Sequence, residues 1–139
     1  MASAHCYDEI KAYLQGAMTP MAVLDWDQIE STLEQSNNQF LALEESYADE
    51  ELIAFGNPQA LCMREIGALI IHCFVPAPES SGVARALAGQ VQNQIRLQRI
   101  SGLRIISSDP PEVDRMNDGL WTTAAVPVAY EYDYFVARP

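Results

Sequence analysis

Residues 61 to 75 form a nearly unbroken apolar run, interrupted only near its start by Arg64 and Glu65. The run stops at Pro76 and Pro78, and Ser80, Ser81 and Gly82 follow. From 83 to about 99 the apolar residues recur at helical spacing, and a short apolar run occupies 103 to 106. A long strand, a helix and a returning strand make one compact packing unit, and no other feature constrains the architecture as strongly. The long strand is apolar on both sides. Gly67, Leu69, Ile71, Cys73 and Val75 share one face, and Ile66, Ala68, Ile70, His72 and Phe74 share the other. Such a strand is covered on both faces. Helices of the same chain supply one cover, and a second subunit is expected to supply the other.

The remaining elements follow from local patterns. Residues 3 to 16 read as a helix, with Ser3 as N-cap and Tyr7, Ile10 and Leu14 on one stripe. Asp8 and Glu9 fall in its first turns, where the helix dipole favours acids, and Gly16 and Pro20 end it. An extended segment at 21 to 26 precedes a polar loop, 27 to 38, with room for a helical turn. Residues 40 to 47 alternate as a strand, 48 to 51 read as an acidic turn or loop tip, and 52 to 55 as a second strand arm. Gly56, Asn57 and Pro58 signal a turn into the long strand. In the helix from 83, Val83, Leu87, Val91 and Ile95 lie on one line with Ala84 and Ala88 beside it. Residues 107 to 112 read as a loop and 116 to 119 as a turn. Residues 120 to 136 carry the cleanest period-two pattern, with Tyr130, Tyr132 and Tyr134 on one face. Pro127 cannot donate to a ladder, so a bulge or an edge is expected there. This order predicts a single α/β (α+β) domain, 1 to 139: a two-layer sandwich whose mainly antiparallel or mixed sheet carries two helices on one face.

Composition narrows the function. The chain has 139 residues, 49% of them hydrophobic, enough for one domain with a real core. No run of eighteen apolar residues marks a membrane span, and the first residues lack the basic and apolar regions of a secretory signal. Cys6, Cys62 and Cys73 are odd in number and widely spaced, which points to free thiols in a reducing compartment. The net charge is −11, of which residues 1 to 51 hold −10, with Lys11 the single base there. That balance argues against stable binding to nucleic acid phosphates, though not against a surface that nucleic acid passes.

No residue set reads as a catalytic, cofactor or metal site. His5 and His72 lack a Cys or Asp partner pattern, and a histidine on an apolar strand face reads as core or interface. Asp25 and Asp27 flank Trp26, but two carboxylates alone make a weak cation site. Glu44, Glu45, Asp49, Glu50 and Glu51 read as solvated acids, and the glycines are too scattered for a phosphate loop.

One resemblance stands beside this reading. Arg64, Glu65 and Gly67 open an apolar strand that closes on Phe74, Val75, Pro76 and Ala77, and a Ser/Gly-rich turn precedes an Ala/Leu-rich helix. Together with an N-terminal helix around Tyr7 to Leu14 and a last strand that opens with Trp121 and passes Tyr132, this is similar to the tail terminator family of long-tailed bacteriophages. The family's longer Gly-rich turn is replaced here by Pro76, Ala77, Pro78, Glu79, Ser80, Ser81 and Gly82. The resemblance implies a non-enzymatic virion protein without cofactors, assembled in the host cytoplasm. It would form a homohexameric ring at the head-proximal end of the tail, between the tail tube protein and the head-connector or stopper protein, with DNA passing through its channel. Arg64, Glu65, Ile70, His72, Phe74 and Trp121 are then the candidate subunit interface, and Glu44, Glu45, Asp49, Glu50 and Glu51 the candidate channel or rim acids. The competing expectations are a cytoplasmic α/β ligand-binding or regulatory module and, behind it, a small enzyme.

Overall fold

A computed structural model describes residues 4–35, 38–54, 60–76, 81–108, 110–116 and 121–137. The order of elements is α1 (Ala4–Ala17), β1 (Ala22–Asp25), a 3-10 turn (Trp26–Gln28), α2 (Ile29–Gln35), β2 (Phe40–Ala54), β3 (Ala60–Pro76) and α3 (Ser81–Ile95), then β4 (Arg99–Ile100), β5 (Leu103–Ser108), β6 (Glu112–Met116) and β7 (Trp121–Ala137). Among the described residues the fold is mixed α/β, with three α-helices and a curled sheet. The strands run in the order β1-β2-β3-β7-β5-β4, with β6 also paired to β7. The β1–β2 pair is parallel and all others are antiparallel.

The spine is the pair β3 and β7, each 17 residues long and paired without a break from Ala60↔Ala137 to Pro76↔Trp121. The alternation of both strands decides which side meets the helices. Leu69, Ile71, Cys73 and Val75 of β3 are buried with Ala124, Val126, Val128 and Tyr130 of β7. Cys6, Ile10 and Leu14 of α1, and Ala84, Leu87, Ala88, Val91 and Ile95 of α3, complete this core. The expected helix stripe is thus in place except at Val83, which is 37% exposed.

At one end of the sheet the opposite face is covered by the chain itself. Ile29 of α2 packs with Phe40, Ala42, Phe74 and Trp121. The Trp121 indole Nε1–H donates to the Leu33 carbonyl at 3.0 Å, and the Phe40 and Phe74 rings stack at 4.6 Å. Residues 27 to 35, expected as a loop with room for a helical turn, are helical: the 3-10 turn runs to Gln28 and α2 from Ile29 to Gln35. Cover on both faces at this end of the sheet departs from the expected plain two-layer arrangement.

Two further expectations are corrected, at 48 to 51 and at 107 to 112. The acidic residues 48 to 51 are no turn or loop tip: β2 runs through them and pairs with β3 from Phe40↔Phe74 to Ala54↔Cys62. The turn itself, at Gly56, Asn57 and Pro58, lies outside the described residues. The expected loop at 107 to 112 is shortened from both sides, by the end of β5 and the start of β6. Pro127 keeps its place opposite Ile70 in the β3 ladder. On its other flank it falls between Val128, the last partner of β5, and Ala125, the first partner of β6.

Candidate subunit interface

The motif Arg64, Glu65, Gly67 resolves into two structural jobs on opposite faces of β3. Glu65 points to the helix side, is 7% exposed, and accepts the Tyr130 hydroxyl on Oε2 at 2.6 Å. Gly67 makes room for the same tyrosine: a Cβ there would lie 2.4 Å from Tyr130 Oη and 2.5 Å from Cζ. Burial and the Glu65 carboxylate both push the Tyr130 phenol well above its ordinary pKa, so it remains a donor. Arg64 points the other way, and its guanidinium grips Asp133 through two bonds of 2.7 and 3.0 Å. This bidentate contact holds the Asp133 carboxyl below the usual carboxylate range.

Of the six candidate interface residues, three are consumed inside the chain. Glu65 is buried against Tyr130, and Phe74 and Trp121, 0% and 2% exposed, belong to the aromatic cluster beneath α2. Arg64, Ile70 and His72 remain half-buried on the same sheet face. His72 Nε2 lies 2.9 Å from Glu44 Oε1, and its ring packs 4.2 Å from that of Trp26. Ile66, Ala68 and Ile70 of β3 and Ala125, Pro127 and Ala129 of β7 are half-buried.

The five candidate acids do not form one circle or tip. Glu44, Asp49 and Glu51 lie opposite Ile70, Ile66 and Arg64, on the face that α1 and α3 leave open. Glu45 and Glu50 point to the helix side, opposite Leu69 and Glu65. All five lie on β2 beyond Leu43, where β1 stops at Asp25↔Leu43. Among the described residues no strand flanks this part of β2, so it is a sheet edge. It carries the marks of a protected edge: irregular pairing between Glu45 and Tyr47, and the Glu50 N–H taken by the Asp49 side chain at 2.8 Å. Around it Tyr47, Leu52 and Ile53 are exposed, and Phe135 at the end of β7 is 69% exposed. None of these apolar positions stands out in the sequence, because each continues an ordinary strand alternation.

An open cleft of about 470 Å³ lies where β1 ends, lined by Tyr7, Asp25, Trp26, Asp27, Leu43, Glu44 and Glu45. Asp25 is already engaged, by the Tyr7 hydroxyl and by Lys11 at 3.0 Å, and these bonds lower its pKa. The Asp25–Asp27 pair therefore does not present two free carboxylates. Among the described residues no group of three or more His, Cys, Asp or Glu is placed to hold a metal ion. Cys6 and Cys73 are buried free thiols and Cys62 is a half-buried one. Burial pushes the Cys73 thiol up to about 12, away from nucleophilic use. Among the described residues no helix is long and apolar enough to cross a membrane.

No protein-family model matches the chain, and no curated protein matches it significantly.

Proposed function

We propose that this chain is a structural, ring-forming tail terminator of a long-tailed bacteriophage. In this reading it is a virion protein without enzymatic activity or cofactor. A homohexameric ring caps the tail tube at its head-proximal end, stops tube growth and joins the tube to the head connector, with DNA passing through the channel. The observation that carries it is the unfinished sheet. One face keeps half-buried Ile66, Ala68, Ile70 and Ala129, and the β2 edge and strand ends expose Tyr47, Leu52, Ile53 and Phe135. Exposed apolar side chains at a sheet edge and beside half-buried ones suit a protein–protein contact, which supports this reading. Acids of β2 left outside such a contact fit a surface that DNA passes without sticking, because carboxylates repel phosphates.

The cleft beside Trp26 favours a second reading, a ligand-binding or regulatory module, since open space lined by an aromatic ring and several polar groups suits a small ligand. Electron microscopy of the concentrated protein separates the two. The ring reading expects closed particles with a central channel. Single compact particles at every concentration would contradict it.

A further inference from the structure

The face of the sheet turned away from α1 and α3 carries a row of charges that crosses the strands from one edge to the other. Glu51 of β2 stands opposite Arg64 of β3, and Arg64 opposite Asp133 of β7. Arg64 pairs with Asp133 at 2.7 Å and approaches Glu131 at 3.8 Å. Arg104 of β5 pairs with Glu131 and lies 3.5 Å from Asp133. Arg99 of β4 is the cross-strand neighbour of Arg104 and is exposed. The row thus runs acid, base, acid, base, base, and its two ends carry opposite charges. An acid, Glu51, closes it on the β2 edge, and a base, Arg99, closes it on the β4 edge. The surroundings repeat the asymmetry: residues 44 to 51 hold five acids and no base, and residues 96 to 106 hold three arginines and no acid.

We infer that the partner of each edge is the opposite edge of a second copy of this chain, with Arg99 of one protomer set against Glu51 and Asp49 of the next. Such a contact continues the alternation across the boundary. It joins two different patches, so it is heterologous, and heterologous contacts close into rings when the rotation permits. The irregular pairing after Glu45 and the Asp49 cap on Glu50 discourage unlimited strand addition, which leaves charge and exposed Tyr47 to select the partner. This inference rests on the ring reading and adds which surfaces meet.

The test is a charge-reversal complementation read by native mass. Glu51→Arg and Arg99→Glu, each alone, bring like charges together at every junction and should weaken assembly by roughly tenfold or more. Mixing the two variants restores an opposite-charge contact at every junction of an alternating ring, so the mixture should regain the wild-type mass. Circular dichroism reports whether each variant folds. If Glu51→Arg does not, Glu51→Gln and Arg99→Gln replace the pair, and both should weaken assembly and flatten its dependence on salt. Single variants that assemble like wild type, or a mixture that stays dissociated, would overturn the edge pairing while leaving a ring possible by other surfaces. A wild-type chain that stays monomeric at all concentrations would overturn the ring reading and this inference with it.

Discussion

Replacing Gly67 with alanine probes the joint between β3 and β7. By intrinsic preference the change should help, because glycine inside a strand costs about 0.5–1 kcal/mol relative to alanine. The structure reverses the sign. The new Cβ would lie 2.4, 2.5 and 2.7 Å from Tyr130 Oη, Cζ and Cε1. That ring is fully buried and tied to Glu65 at 2.6 Å, so it has no free direction of escape. Overpacking of this kind costs about 1–3 kcal/mol. Displacing the phenol from a buried carboxylate removes a charge-assisted hydrogen bond worth about 1.5–3 kcal/mol. Less the propensity gain, Gly67→Ala should destabilise by about 3 kcal/mol, a fall of roughly 10 °C in Tm for a chain of this size. Urea and thermal unfolding followed by circular dichroism give the value. Trimming the ring with Tyr130→Leu should remove most of the penalty, so the double mutant is far from additive. A Gly67→Ala protein as stable as wild type would refute the account of why the motif contains a glycine.

Other perturbations test separate parts of the molecule. Val91→Asp places an unpaired charge among fully buried residues of α3 and the sheet and should cost several kcal/mol, which the same melts will show. Asp25 and Asp133 have pKa values lowered by their partners, so the stability they add is complete above the ordinary carboxylate range and is lost as pH falls through their lowered folded values. Tm against pH should therefore drop on the acid side, and Asp133→Asn should flatten part of that drop. Replacing Cys6, Cys62 or Cys73 singly with Ala should leave any oligomer intact in non-reducing buffer, since all three are free thiols. Dissociation by reductant alone would contradict this.

The spine of the fold was legible because it depends on periodicity that burial enforces. Residues 120 to 136 alternate over enough positions to leave one reading, residues 61 to 75 read as a doubly covered strand from a long apolar run closed by prolines, and the α3 stripe at Leu87, Val91 and Ile95 meets the same core. Short elements were not legible. β4 has two residues, and its signal was the pair Ser101 and Gly102, both at positive φ, which close a two-residue hairpin turn onto β5. β6 is a short, mostly polar strand that falls between the loop expected at 107 to 112 and the turn expected at 116 to 119. The acidic stretch 48 to 51 read as a turn because acids are rare in strands, whereas tertiary pairing to β3 overrides that preference. The candidate interface was partly legible: residue type placed Arg64 and His72 on the sheet, but Phe74 and Trp121 vanish under α2, a helix that the polar 27 to 38 segment concealed.

Native mass measured over a range of concentrations tests the central claim most directly. A tail terminator ring predicts a hexamer of the 15.4 kDa chain that persists on dilution or forms as concentration rises. A species that remains a monomer or dimer throughout would contradict it.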